Sequence, residues 1–496
     1  MNLSLTHKDL ADATIHDIQA WLNQGEVTSV QLVLLYLERI ARFDRSGPRL
    51  NSFLEVNPDA YQTAQALDQE RSLRGPRGPL HGIPVVLKDN IATKDKMHTS
   101  AGSLAMRAVY APADSWVAER LRAVGAIILG KANLTEWANF MTDHMPNGYS
   151  SRGGQTLNPY GPGTIDTGGS SAGSGVAVAA GLAAFAIGTE TSGSILSPSS
   201  QNSLVGIKPS VGLISRFGIV PVSSSQDTAG PMCRTVYDAA LALGALTGVD
   251  PRDPVTGASE GLYAVDYTLG LTKDGLAGVR LGLPRRDYLD RLSDWQTSLM
   301  DRAVADLTRL GATVVDPTDI PSSAETSDEL RDFAVLVYEF KASLNAYLNW
   351  LGASSPVTTL ADVIAYNDAH REECLKYGQT WMLAAQETSG TLTEPEYLEA
   401  RARDLLLATT QGIDRVMAEH RLDAVLFPAN LGAGIAAQAG YPSITVPAGY
   451  SPDGQPMGLT FTAKAFEEAK LIRLAYAYEQ ATQYRQAPVL NDNASP

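Results

Sequence analysis

Short apolar runs that alternate with helical segments are the feature of this sequence that most restricts its fold. Residues 83–88 and 185–189 are almost wholly apolar and have the length of buried strands. Residues 116–123 and 171–182 lie between those two runs and have helical character. Strands that alternate with helices pack in layers, with the helices covering a central sheet. The sequence therefore predicts a layered α/β domain.

A mostly helical stretch interrupts this alternation. It runs from residue 329 to about residue 419, and strand character returns after it. We therefore divide the chain into four parts. These are an N-terminal helical segment packed on the core (1–75), the α/β core (75–320), a helical insertion (320–420), and the return strands with a C-terminal helix (421–496).

The composition is that of a protein with a large apolar core. The chain has 496 residues, of which 44% are hydrophobic and 19% charged. Its net charge of −15 disfavours a nucleic-acid backbone or an anionic membrane surface as the main partner. No run approaches the roughly 18 apolar residues that a membrane span needs. We therefore expect no nucleic-acid partner and no membrane association.

Cysteine content and the first residues bear on the location of the protein. Cys233 and Cys374 are the two cysteines of the chain, too few for a disulfide framework. The N-terminal residues contain no apolar stretch of the kind found in secretory signals. The sequence therefore predicts a cytoplasmic location.

Lys88 ends the apolar run of residues 83–88, and this position makes it a candidate for chemistry. Active sites of α/β proteins commonly lie at the carboxyl ends of strands. A lysine acts as a base only when it is neutral, and burial lowers its pKa from the usual value of about 10.4. Most lysines are solvated surface charges. The position of Lys88 therefore does not by itself distinguish a buried base from an ordinary surface lysine.

A loop rich in glycine and serine, residues 168–175, precedes a helix of small apolar residues. Such a composition is typical of a flexible linker, but the apolar residues that follow favour a tight loop at a helix N-terminus. The loop also matches the G-x-S-x-G pattern, with Ser171 at its centre. That pattern requires a strand just before it, and residues 164–167 are not a convincing strand. Ser170 and Ser171 both remain candidates at this point.

A second loop, residues 191–194, follows the strand predicted at 185–189. Gly193 allows the backbone to turn its amides toward a small anion. A serine hydroxyl attacks an amide only if a base takes its proton and donors stabilise the carbonyl oxygen. Lys88 and the two loops can supply all three parts, so the pattern predicts hydrolysis of an amide bond.

Two other patterns are rejected as cofactor sites. Residues 125–131 fit the start of a phosphate-binding loop, but Ala132 stands where a serine or threonine must bind magnesium. The seven histidines have no paired spacing typical of metal ligands. We therefore expect neither a nucleotide nor a metal cofactor.

A series of short blocks in a fixed order carries a family resemblance. They are residues 82–90 (GIPVVLKDN), 129–133 (LGKAN), 168–171 (GGSS), 188–195 (GTETSGSI), 206–209 (GIKP), 226–231 (QDTAGP) and 440–447 (GYPSITVP). In these blocks the chain resembles the amidase signature family, strongly over about residues 75–240 and more loosely elsewhere. Within the family it most resembles bacterial peptide amidases, through residues 135–140 and 151–159.

The resemblance implies a fold and a catalytic triad. The fold would be a single large domain with a central mixed β-sheet covered by helices. Ser194 would be the nucleophile that forms an acyl-enzyme, and Lys88 would be the base. Ser170, which follows a cis peptide bond after Gly169, would relay the proton between them.

The resemblance also implies an oxyanion hole and a reaction. The hole would be lined by the backbone amides of Thr191, Ser192, Gly193 and Ser194. The reaction would be hydrolysis of the carboxamide of a small amide or a peptide amide, without a cofactor. The family often has glycine at the position of Ser192 and arginine at the position of Leu196, so this chain departs from the pattern beside the site.

Two other functions stay open. One is the glutaminase subunit of a transamidation complex, in which partner subunits supply nucleic-acid binding. The other is an elbow-type serine hydrolase, with Ser171 as nucleophile and His370 or His420 as base. Residues 137–149 and the helical insertion are expected to set selectivity. The sequence leaves open which amide is cleaved, with what stereoselectivity, and whether the chain forms a homo-oligomer.

Overall fold

The computed structural model describes residues 5–326 and 329–490, with the backbone alone for residues 329–332. The outer ends of the predicted terminal segments, residues 1–4 and 491–496, lie outside the described residues, as do residues 327–328. The described strands are β1 (Phe53–Val56), β2 (Pro84–Lys88), β3 (Ile127–Ala132), β4 (Tyr149–Ser150), β5 (Gly154–Gln155), β6 (Phe185–Glu190), β7 (Val205–Lys208), β8 (Thr228–Cys233), β9 (Arg280–Gly282), β10 (Thr313–Val315), β11 (Ala424–Pro428), β12 (Ser443–Tyr450) and β13 (Pro456–Thr462).

Helices connect and cover these strands. None of the described helices is both long and apolar enough to cross a lipid bilayer. They are α1 (Ile15–Gln24), α2 (Ser29–Arg39), α3 (Ala60–Arg74), α4 (Trp116–Ala123), α5 (Ala172–Ala179), α6 (Leu196–Gln201), α7 (Val236–Leu246), α8 (Asp294–Arg309), α9 (Ser323–Thr326), α10 (Glu329–Leu351), α11 (Leu360–Ala369), α12 (Arg371–Cys374), α13 (Thr380–Glu387), α14 (Pro395–Ala408), α15 (Asp414–His420), α16 (Ala433–Ala439) and α17 (Glu468–Thr482).

One eleven-stranded sheet runs through the molecule in the order β1-β3-β2-β6-β8-β7-β12-β13-β11-β9-β10. β2 is parallel to β3 and β6, and β9 is parallel to β10 and β11. The strands between these two groups, from β6 to β11, pair antiparallel. β2 and β6 are buried along their whole length, as expected of parallel strands covered on both faces. The predicted central mixed sheet covered by helices is confirmed.

Several strands were not predicted from the sequence, among them β7 and β8 in the middle of the sheet. Both contain glycine, and β8 also contains Pro231, residues that are depleted in strands. At Gly230 a side chain would collide with the carbonyl oxygen of Ile207, so the close approach of β7 and β8 requires glycine there. Tertiary packing therefore overrides the weak local strand preference of this segment.

The helices of the predicted insertion build a second hydrophobic cluster beside the main core. Leu336, Phe340 and Leu344 of α10 pack against side chains of residues 101–149 and 220–222. The rings of Phe140 and Phe340 lie 4.9 Å apart. The insertion thus covers loops that follow the carboxyl ends of the sheet strands. The boundaries of the four predicted segments stay a prediction.

Truncation of Phe461 tests the packing of the sheet. Phe461 is fully buried on β13, between Leu426 of β11 and Ile444 of β12. We expect Phe461→Ala to lower the free energy of unfolding by about 3 to 5 kcal/mol because it leaves a cavity. Leu269→Ala, at a side chain that is 78% exposed, should cost less than about 0.5 kcal/mol. Urea unfolding followed by tryptophan fluorescence measures both, and equal midpoints for the two variants would contradict the prediction.

Candidate active site

The carboxyl ends of β2 and β6 bring the candidate base next to the second loop. The two strands are parallel neighbours, with Leu87 opposite Ile187. Lys88 is the last residue of β2, and Thr189 and Glu190 end β6. Because parallel strands end at the same edge of a sheet, Lys88 lies beside the start of the loop that carries Ser194.

Lys88 is fully buried, and the groups that it hydrogen-bonds are all uncharged. Its Nζ lies 2.8 Å from Ser170 Oγ, 2.9 Å from Thr189 Oγ1 and 3.1 Å from the Thr189 carbonyl oxygen. Burial lowers the pKa of Lys88 to about 7, while the charges of Asp227 and Glu190 raise it. A large fraction of Lys88 is therefore a neutral amine near pH 7, which is the form a base requires.

The first loop is joined to both Lys88 and the second loop. The Gly169–Ser170 peptide bond is cis, as the resemblance implies. Ser170 is fully buried, with its hydroxyl against the Lys88 amine. The amide of the next residue, Ser171, donates to the carbonyl oxygen of Ser194 at 3.2 Å. The first loop therefore contacts the predicted base through Ser170 and the backbone of the predicted nucleophile through Ser171.

Ser171 has the contacts of a structural residue. Its hydroxyl donates to the Thr189 carbonyl oxygen at 3.0 Å and accepts from the Thr189 amide at 3.3 Å. No histidine among the described residues hydrogen-bonds to Ser171. His370 Nδ1 donates to the carbonyl oxygen of Tyr366 at 2.9 Å, and His420 ends α15. The geometry does not support the alternative in which Ser171 is activated by a histidine.

The buried carboxylate of Glu190 organises the loop that carries Ser194. It accepts hydrogen bonds from the amides of Gly193 at 2.8 Å, Ile195 at 2.7 Å and Leu196 at 3.0 Å. Gly193 has φ +82°, a conformation that glycine adopts without strain. The Gly193 amide therefore already donates to a protein acceptor, whereas the resemblance implies that it binds the oxyanion. Within the described chain, the amides of Thr191, Ser192 and Ser194 have no protein acceptor.

A second carboxylate, Asp227, holds the first residue of the same loop. Asp227 Oδ1 accepts from the Thr191 hydroxyl at 2.5 Å, and Oδ2 accepts from the amides of Val222 at 2.7 Å and Ser223 at 2.9 Å. Burial raises the pKa of Asp227 to about 6. Thr228 pairs with the last residue of β6, and this register brings Asp227 to the carboxyl end of that strand.

Two cavities meet at Thr191. The Ser194 cavity, of about 140 Å³, has Ser192 and Ser194 in its wall. The aromatic cavity, of about 360 Å³, reaches Thr189 and Asp227. Both are also lined by Ala138 and Val222. The larger cavity takes its name from three residues of its wall: Phe217, Tyr347 and Trp350.

The structure therefore brings the predicted base, relay and loop residues to one edge of the sheet. Thr189, Glu190 and Asp227 were not predicted from the sequence to belong to the site, although all three lie in the family blocks. For Glu190 the sequence does contain a signal, because its carboxylate lies among glycine and small hydroxyl residues in the block 188–195. In the described part of the chain, no group of three or more His, Cys, Asp and Glu side chains could hold a metal ion.

Comparison with known proteins identifies the family. The Amidase family profile matches residues 31–472. The peptide amidase of Stenotrophomonas maltophilia is 46% identical, with a TM-score of 0.91, over 97% of this chain and 99% of that chain. A probable amidase of Arabidopsis thaliana is 44% identical over 97% of this chain and 92% of its own length. A glutamyl-tRNA(Gln) amidotransferase subunit from Chloroflexus aurantiacus is 34% identical over 96% of this chain and 98% of its own length. The chain belongs to the amidase family.

Proposed function

We propose that this amidase hydrolyses the terminal carboxamide of a peptide amide, with Lys88 as base, Ser170 as proton relay and Ser194 as nucleophile. The observation that carries this proposal is the contact of 2.8 Å between the buried Lys88 amine and the Ser170 hydroxyl. The 46% identity to a peptide amidase over nearly the full length of both chains supports the substrate class.

The first half of the reaction forms an acyl-enzyme. Ser194 Oγ attacks the carboxamide carbon and gives its proton to Ser170 Oγ. Ser170 passes its own proton to the neutral Lys88 Nζ, which becomes an ammonium. When the tetrahedral intermediate collapses, the C–N bond breaks and the proton returns from Lys88 through Ser170 to the leaving nitrogen. Ammonia departs, and an ester of Ser194 remains.

The second half of the reaction uses water in place of the serine hydroxyl. Water attacks the ester carbon and loses a proton through Ser170 to Lys88. The second tetrahedral intermediate collapses to the carboxylic acid, and the proton returns from Lys88 through Ser170 to Ser194 Oγ. The released acid then ionises to the carboxylate by giving its proton to water or to the released ammonia. Lys88 is neutral again at the end of the cycle, so one water molecule is consumed for each ammonia released.

Free backbone amides stabilise the oxyanion in both steps. We assign this role to the amides of Thr191, Ser192 and Ser194, which have no protein acceptor among the described residues. Gly193 supplies the turn, and its amide anchors the loop to Glu190. Donors held in place before the reaction stabilise developing charge more effectively than donors that must reorganise. Glu190 is therefore a positioning residue of the proposed site.

The two cavities differ in what they can accept. Ammonia is small, whereas the acyl part of a peptide amide needs a volume of a few hundred Å³, as is typical of ligand pockets. We propose that the aromatic cavity, of about 360 Å³, receives the residue that bears the carboxamide. The relative that is an amidotransferase subunit keeps a glutaminase function open as an alternative. Ammonia released freely from peptide amides by the isolated chain would count against that alternative.

Substitution of two neighbouring serines tests the nucleophile. We expect Ser194→Ala to lower kcat/KM for a peptide amide by about a thousandfold or more, because no acyl-enzyme can form. Ser171→Ala is the matched control and should lose at most about thirtyfold, since it removes two hydrogen bonds worth about 1 kcal/mol each. Ammonia release measures turnover, and mass spectrometry of the quenched enzyme locates the acyl group. An acyl group on Ser171, or full activity of Ser194→Ala, would overturn the assignment.

The pKa of Lys88 predicts the pH dependence of the reaction. The base must be neutral, and burial lowers its pKa to about 7. We therefore expect kcat/KM to rise with pH through about 7, to level off above that value, and to fall about tenfold per pH unit well below it. The profile is measured from about pH 5 to about pH 9 with an uncharged peptide amide. A profile that keeps rising to about pH 10 would show that Lys88 titrates as an exposed lysine.

Glu190→Gln tests the positioning of the loop. The carboxylate of Glu190 accepts from the Gly193 amide with one oxygen and from the Ile195 amide with the other. Glutamine has only one acceptor oxygen, so it cannot replace both hydrogen bonds. We expect kcat to fall about tenfold to a hundredfold with KM nearly unchanged, because the oxyanion donors lose their fixed orientation. The Glu190 charge raises the pKa of Lys88, so its removal should also shift the acid limb of the profile to lower pH.

The control for this variant is Glu479→Gln. Glu479 is a carboxylate that accepts from the Val236 amide at 2.7 Å, in a part of the protein that lines neither catalytic cavity. It should keep kcat and the pH profile of the wild-type enzyme. If Glu190→Gln loses thermal stability but keeps the wild-type kcat and profile, Glu190 has only a structural role.

A further inference from the structure

A third cavity, of about 310 Å³, adjoins the Ser194 cavity. Gln438 of α16 lines both, so the two cavities meet at this residue. The rest of its wall comes from α9, α10 and α14. Among the described residues, the charged ones that line it are the acidic Glu325, Glu396, Glu399 and Asp404 and the basic Arg403. We call it the acidic cavity.

Asp404 indicates that this cavity holds a ligand. The residue is 8% exposed, and its buried Oδ2 has no hydrogen-bond partner among the residues that the structure describes. The two nearby arginines bond elsewhere, since Arg403 pairs with Glu325 at 3.0 Å and Arg401 donates to the Gln438 carbonyl at 3.4 Å. A buried carboxylate oxygen without a donor is costly, so it calls for a cationic or hydrogen-bonding group from outside the chain.

The size and charge of the cavity point to an organic cation. A volume of about 310 Å³ is far larger than a bare ion needs and can hold a side chain or a short chain terminus. The net charge of −15 favours the approach of cationic molecules to the protein. An ammonium group presents three donors, which can satisfy Asp404 and the exposed glutamates at the rim.

We propose that the acidic cavity binds an ammonium group of the substrate, on the N-terminal side of the carboxamide that Ser194 attacks. The preferred substrates are then cationic peptide amides. This inference rests on the proposed peptide amidase function. The ammonium group has two sources, the free amino terminus of a short peptide amide or a lysine side chain close to its carboxamide end. Both offer the same chemistry to Asp404.

Two matched pairs of substrates test the proposal and distinguish these sources. One pair is Ala-Phe-NH2 and its acetylated form, which differ in the terminal ammonium. The other is acetyl-Lys-Phe-NH2 and acetyl-norleucyl-Phe-NH2, which differ in the side-chain ammonium. We expect the cationic member of at least one pair to have a kcat/KM about tenfold higher, as one partly buried charge pair would give. The pair that shows this preference identifies the source, and equal values in both pairs would overturn the proposal.

Asp404→Asn removes the charge and nearly preserves the shape. It should abolish the preference for the cationic substrate and leave kcat/KM for the neutral partner unchanged. Glu372→Gln removes the same charge from an exposed position on α12 and should keep the wild-type preference. Equal losses on both substrates in Asp404→Asn would show a structural role and contradict the proposal.

Two further results keep the test decisive. If Asp404→Asn does not fold, Glu399→Gln at the rim of the cavity takes its place, and an unchanged preference in that variant contradicts the proposal. If the wild-type enzyme cleaves none of the four peptide amides, the proposed function itself fails. If it cleaves neutral and cationic forms equally well, only the acidic cavity assignment fails.

Discussion

The site depends on an amine that is buried without a charged group in contact with it. Lys88 is held by Ser170 and Thr189, which offer uncharged oxygens only. Two carboxylates, Glu190 and Asp227, lie close enough to raise its pKa. Their oxygens already accept from backbone amides and from the Thr191 hydroxyl, so neither forms an ion pair with Lys88. The result is a lysine that is neutral enough to act as a base near pH 7.

The same two carboxylates give the second loop its shape, so the electrostatics and the geometry of the site have one origin. The helical insertion is coupled to this arrangement by a third carboxylate. Glu339 of α10 accepts from the Ser225 amide at 3.0 Å and from the Tyr397 hydroxyl of α14 at 2.8 Å. The segment 222–227 therefore connects Glu339 of the insertion with Asp227, which is the last residue of that segment. Changes in the insertion can reach the loop that carries Ser194 through this connection, which agrees with the expectation that the insertion sets selectivity.

Much of the fold could be predicted because its local signals are strong. The helix predicted at 116–123 is Trp116–Ala123 in the structure, and the apolar runs at 83–88 and 185–189 form β2 (Pro84–Lys88) and β6 (Phe185–Glu190). β7 and β8 were missed, since their glycines weaken the local pattern and matter only where two strands approach closely. In the site, the roles of Lys88, Ser170 and Ser194 came from resemblance, and they remain proposals that the geometry supports. The acceptor of the Gly193 amide could not be read from the sequence, because it depends on where the Glu190 side chain turns.

The sequence by itself determined the family, the α/β class and the few residues able to perform the chemistry, because these depend on motifs and on short-range apolar patterns. Only the tertiary structure decided which groups are in contact. Residues 88 and 170 are 82 positions apart. They meet because Lys88 contacts Thr189 at the end of the neighbouring strand β6, and Ser171 also hydrogen-bonds Thr189. The pKa of Lys88 near 7, the two cavities that meet at Thr191 and the acidic cavity next to Gln438 all arise from burial. Burial is a property of the packed molecule, in which distant segments exclude water from a shared space.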